Sequence, residues 1–143
     1  MLSLIVIPIL VALVTQIIKL IIDGIPNNLD WQHMLSDYGG MPSSHTALVA
    51  SLAAMVGLQS GINSAAFAVA FILMIVVIRD AVGFRREIGR NAVLTNMLAQ
   101  EVFPENPEIL VHERIGHSAL EVGAGLAVGI LLTMIFYWLA QII

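Results

Sequence analysis

"SSHTALVASLAAMVGLQSGINSAAFAVAFILMIVVIRD" (residues 43–80) carries no Asp, Glu, Lys or Arg until Arg79. Its two apolar runs, 44–60 and 62–79, are each close to the ~20 residues that a helix needs to cross the hydrocarbon layer. Between them, Gln59 to Asn63 form an uncharged stretch that reads as a tight turn, so the two runs are expected to form a helical hairpin. Working outward, residues 1–22 and 119–143 are further apolar runs of spanning length. The expected fold is therefore an all-α integral membrane bundle of about four transmembrane helices, in one domain covering residues 1–143. The first run lacks a basic leading segment and is long for a signal core, so it reads as a retained span.

Composition agrees. Of 143 residues, 59% are hydrophobic and 11% are charged, with a mean hydropathy of +0.94. A water-soluble domain of this length would need a more polar surface. There are no cysteines, which excludes disulfides, thiolate metal sites and cysteine nucleophiles. A formal net charge of −4 argues against nucleic acid as a partner.

Four spans put both termini and the 59–63 turn on one side, and the two long connections, 23–43 and 80–118, on the other. Every charged residue maps to that second side: Lys19 and Asp23 at the exit of the first span, Asp30 and Asp37 in the first connection, Arg79 through Glu113 in the second, and Arg114 and Glu121 at the entrance to the last span. One face is bare and the other is crowded with ionisable groups, which marks the crowded face as the working one. All six Lys and Arg lie there, so the positive-inside rule places it in the cytoplasm, with the cell membrane as the expected location.

In the second connection, "RDAVGFRREIGR" (79–90) sets four arginines beside two acids, and Gly83 is placed to bend the chain as it leaves the bilayer. Residues 85–103 have helical periodicity, with Leu94, Met97, Leu98 and Val102 on one apolar face, and "PENPE" (104–108) ends that additional amphipathic helix.

Two stretches carry the chemistry. In "GGMPSSHTA" (39–47), Gly39, Gly40 and Pro42 read as a turn and Ser43 as the cap of a helix running on through Ser44 and His45. The amides of such a helix start favour an anion, for which phosphate is the natural guest, and His45 in the first turn can protonate a departing alkoxide. In "HERIGHSALEV" (112–122), a helix would put Arg114, His117 and Glu121 on one face. That set provides an anion-binding guanidinium, a nucleophilic imidazole and a carboxylate to orient it. Glu113, His117 and Glu121 would also form an i, i+4, i+8 row, the metal-binding alternative.

These stretches, with "RDAVGFRREIGRNA" (79–92), resemble in order and spacing the divergent, four-span branch of the type 2 phosphatidic acid phosphatase superfamily, which is related to vanadium-dependent haloperoxidases. The resemblance covers nearly the whole chain. It implies a membrane phosphatase that hydrolyses a phosphomonoester or diphosphate of a lipid, of phosphatidate, phosphatidylglycerophosphate or polyprenyl type, through a phosphohistidine and without a metal cofactor. It matches Pro42 to His45 to a PSGH motif with Ser44 in place of glycine, and makes His117 the nucleophile and His45 the acid. Glu121 replaces the orienting aspartate, and Lys19, Ser43, Ser44, Arg79, Arg85 and Arg114 are the phosphate-binding set, with Arg86 less favoured. The expected partners are a lipid phosphate substrate and the membrane. The alternative is a protein that binds or moves an anionic lipid without chemistry. "GLAVG" (125–129) fits either a homodimer contact or helix packing within one chain.

Overall fold

The computed structural model describes residues 2–23, 40–106, 109–113 and 115–142. It is all-helical among these residues: α1 (Leu2–Asp23), α2 (Ser44–Ser60), α3 (Ala65–Arg79), a π turn (Asp80–Phe84), α4 (Arg85–Val102) and α5 (Ala119–Ile142). Three helical stretches, Ser3–Ile22, the continuous one from Ala65 to Val102, and Ala119–Ile142, are long and apolar enough to cross a membrane. The remaining helix, α2, has 17 residues and is about 25 Å long at 1.5 Å per residue.

This short helix is the centre of the bundle, packed against α1, α3 and α5. Its sequence explains why. Ala47, Ala50, Ser51 and Ala53 are buried together with Met55 and Val56, and small side chains let three neighbours approach one axis. Ile7 and Val11 of α1 close on Ala47 and Met55, with Leu132, Phe136 and Tyr137 of α5 against them. On the α3 side, Ala53 and Val56 meet Ala70, with Phe67 and Met74 alongside. The exposed residues of α1 and α5, including Ile5, Ile9, Leu13, Leu131 and Ile135, form the apolar outer surface that a bilayer would cover.

α2 and α5 approach closely at two glycines. A Cβ on Gly125 would stand 2.5 Å from the Ser43 carbonyl oxygen, and one on Gly129 would stand 2.6 Å from the Ala47 carbonyl oxygen. The two glycines of "GLAVG" therefore serve packing within the chain. One turn further on, the buried Thr133 hydroxyl donates to the Gly129 carbonyl and accepts from the Ser51 hydroxyl. At the opposite end of α2, Gln59 donates to Ser3 Oγ at 2.6 Å, which places the helix hairpin beside the start of α1.

The apolar part of the third span ends at Arg79, and α3, the π turn and α4 follow one another as one continuous helix, so the amphipathic helix is joined to the span without a loop. The π turn takes up the local change, with the Arg85 amide donating to the Asp80 carbonyl five residues back. The amphipathic helix ends one residue earlier than its pattern suggests, at Val102.

Replacing Gly129 by Val drives a side chain into the α2 backbone, an overpacking that costs about 1–3 kcal/mol. The corresponding Gly123→Ala change meets nothing within 4 Å. In detergent, Gly129→Val should lower the unfolding temperature by several degrees and Gly123→Ala should leave it unchanged or raise it.

Candidate active site

The polar end of the bundle is built from three helix termini and a returning segment. Ser43 is the N-cap of α2; its side chain accepts from the Thr46 amide at 3.4 Å and from the Thr46 hydroxyl at 3.0 Å. Its own amide donates to the Glu121 carbonyl at 3.1 Å, tying the start of α2 to the first turn of α5. The Met41–Pro42 peptide bond before it is cis. Because a helix start leaves its first amides without intrahelical partners, α2 presents donors at this end.

His117 reaches the same place by a different route. After α4 the chain returns along that helix, held by Asn96. The Asn96 side-chain amide donates to the Val111 carbonyl at 2.7 Å and to Glu113 Oε1 at 2.8 Å, while its carbonyl accepts from the Val111 amide at 2.8 Å. The two backbones come close enough that a Cβ on Gly89 would lie 2.7 Å from the Ile115 carbonyl oxygen. Gly116, at φ +93°, would place a Cβ 2.5 Å from the Arg86 amide nitrogen, so conformation and space both require glycine there. The His117 amide then donates to the Ala81 carbonyl of the π turn at 3.1 Å.

The result is a cavity of ≈ 240 Å³ lined by Ser43, His45, Val76, Val77, Asp80, Ala81, Arg85 and His117. Both histidines line it. His117 is 5% exposed, and its Nδ1 is buried with no hydrogen-bond partner among the described residues. Lys19, 9% exposed near the end of α1, acts electrostatically on both His45 and His117. Arg85 pairs with Asp80 through its Nε. The spacing of five residues is the reason, since a π turn brings i and i+5 onto one side.

Burial pushes the His117 imidazole below the ordinary histidine value of 6.5; Glu121 opposes the shift, and the charges of Lys19, His45 and Arg85 add to it. A neutral imidazole is the form that can attack.

Several expected residues stand elsewhere. Residues 115–118 are not helical, so His117 and Glu121 do not share a helix face, and Glu113, His117 and Glu121 do not form a helical row. The helix starts late because Ser118 and Glu121 close a capping box: the Ser118 amide donates to Glu121 Oε2 at 2.6 Å and the Glu121 amide to Ser118 Oγ at 3.3 Å. Glu121 is thus engaged in starting α5 while its charge acts on His117. Ser44 lines a neighbouring groove instead of the cavity. Arg79 and Arg86 are exposed and do not line the cavity. Arg114, Gly39 and the acids Asp30 and Asp37 lie outside the described residues. No group of three or more His, Asp or Glu among the described residues is arranged to hold a metal ion.

Asp80 is the site residue that sequence reading passed over. Its signal was the i, i+5 distance to Arg85, which looks like no contact at all on an α-helix.

Residues 2–132 match the model of a family described as the Divergent PAP2 family. YuiD, an uncharacterised membrane protein of Bacillus subtilis strain 168, is 37% identical over 134 residues, with 84% of each chain covered. No solved structure matches the chain.

Histidine resonances followed against pH should show His117 titrating below 6.5. Glu121→Gln removes the charge that favours the protonated ring, so the midpoint should move further down; an upward movement would mean that the carboxylate does not act on this ring.

Proposed function

The chain belongs to the Divergent PAP2 family, is a membrane protein like its Bacillus relative, and from the site it carries we propose that it is a lipid phosphate phosphatase. The observation that supports this is the meeting of two histidines with Arg85 and the start of α2 in one cavity at the polar end of an apolar bundle. In this reading the substrate's phosphate lies in the cavity, its nonbridging oxygens held by Arg85 and the first amides of α2 with the Lys19 charge nearby, an arrangement of fixed cations and dipoles suited to phosphoryl transfer.

Nδ1 of His117 is buried, which makes Nε2 the attacking atom. It forms a bond to phosphorus as the bond to the lipid oxygen breaks, and protonated His45 gives its proton to that oxygen. The lipid alcohol leaves, or the lipid monophosphate when the substrate is a diphosphate, and His117 carries the phosphoryl group. Neutral His45 then takes a proton from a water molecule that attacks phosphorus, the nitrogen–phosphorus bond breaks, and inorganic phosphate departs. Glu121 stabilises the positive charge on the His117 ring, and Asp80 holds the Arg85 guanidinium in place. No step calls for a metal ion.

The substrate is a phosphomonoester or diphosphate on a lipid of phosphatidate, phosphatidylglycerophosphate or polyprenyl type. The cavity lies at the end of the bundle that carries the cationic residues, and we assign that face to the cytoplasm. A cysteine placed in the 59–63 turn should then be labelled by an impermeant reagent from outside intact cells; labelling only after permeabilisation would reverse the assignment.

Purified protein in detergent with chelator present should release phosphate from at least one of these lipid phosphates. His117→Ala and His45→Ala should each lower the rate at least a hundredfold, and Arg85→Ala about tenfold or more. Binding of the lipid without release by folded native protein would favour the lipid-binding alternative.

A further inference from the structure

A second cavity, ≈ 290 Å³, lies between α1 and α2, and His45 lines both it and the catalytic cavity. Resting on the phosphatase reading, we propose that this groove holds one hydrocarbon chain of the lipid phosphate during turnover, with His45 at the threshold between chain and phosphate.

The α1 wall is graded along its length. Ile9, Ala12 and Leu13 line the groove first, then Gln16, and Lys19 follows three residues on, buried and acting on both histidines. Positions 9, 12, 13 and 16, with 19 next, follow one face of a helix. Apolar, amide and ammonium groups therefore succeed one another in the order in which a lipid phosphate presents its chain, its ester or alcohol region and its anion. On α2 the same order is compressed into one turn, with Leu48 against the chain and His45 at the phosphate.

On its α3 side the catalytic cavity is lined by Val76 and Val77 together with the Asp80–Arg85 ion pair, and a hydrocarbon chain lying against that pair would strip water from both charges without replacing it. The α1–α2 groove carries no charge other than that of protonated His45, and both of its walls are membrane spans. A chain that stays in the groove never meets water. Each methylene drawn into water would weaken binding roughly fourfold, so a lateral apolar path is what allows a membrane lipid to bring its phosphate to a buried histidine.

The test uses hexadecyl phosphate bearing a photoreactive diazirine in its chain, added to full-length protein in detergent. With His117→Ala, which cannot turn over, the label should fall on residues of α1 and α2 around Leu13 and Leu48, and Ala12→Phe added to that chain should remove it. In the chain that retains His117, Ala12→Phe or, should that variant misfold, Leu48→Phe should reduce the ratio of hexadecyl phosphate to phenyl phosphate turnover at least tenfold. Label on Val76 and Val77, label on no helix, or an unchanged ratio in a folded variant would overturn the groove. Label in the groove with no phosphate release from either compound would leave the groove standing and overturn the phosphatase.

Discussion

The structure depends on how closely α5 approaches α2. At Gly125 and Gly129 the α2 backbone occupies the space where side chains would begin, so the two helices meet over their main chains. Lipid tails are as apolar as the side chains, so this approach gains little from the hydrophobic effect and rests on dispersion and the buried Thr133–Ser51 hydrogen bond. Its consequence is positional. With the axes this close, the first turn of α5 lies against the cap of α2, where the Ser43 amide meets the Glu121 carbonyl, and the residue just before α5's cap, His117, faces the residue two past α2's cap, His45.

The second constraint is the return of the chain along α4. Asn96 uses both ends of its amide to hold Val111 and Glu113, two glycines remove the side chains that would keep the backbones apart, and Ala81 receives the His117 amide. The π turn does double duty in this arrangement. It carries the helix on without a break, and it sets Asp80 and Arg85 side by side at the cavity. The cavity so formed brings together a buried imidazole, the start of α2 and a guanidinium paired with Asp80, with the buried Lys19 ammonium close enough to act on both histidines.

Much of the fold was legible in the sequence. The hairpin of α2 and α3 and its tight turn, which the structure places at Gly61–Ser64, follow from where apolar runs begin and end, which is a strong signal when lipid is the solvent. Ser43 as a cap and His45 in the first helical turn were also legible, because the Pro-Ser-Ser-His order is local. The α4 boundary was legible to within a residue for the same reason.

What escaped were the contacts that depend on tertiary structure. The segment before Ala119 has helical spacing on paper, but Gly116 at positive φ and the Ser118–Glu121 capping box delay the helix. The π turn escaped because an inserted residue leaves no compositional trace, and with it went the Asp80–Arg85 pairing. Whether GLAVG joined two chains or two helices of one chain depended on what faced it, and a small-residue pair is the same in both cases. The most direct test of the account is to quench the protein during turnover of a radiolabelled lipid phosphate, keep the digest alkaline to preserve phosphohistidine, and map the label by mass spectrometry. The account predicts label on His117; label on His45, or on no histidine while phosphate is being released, would contradict it.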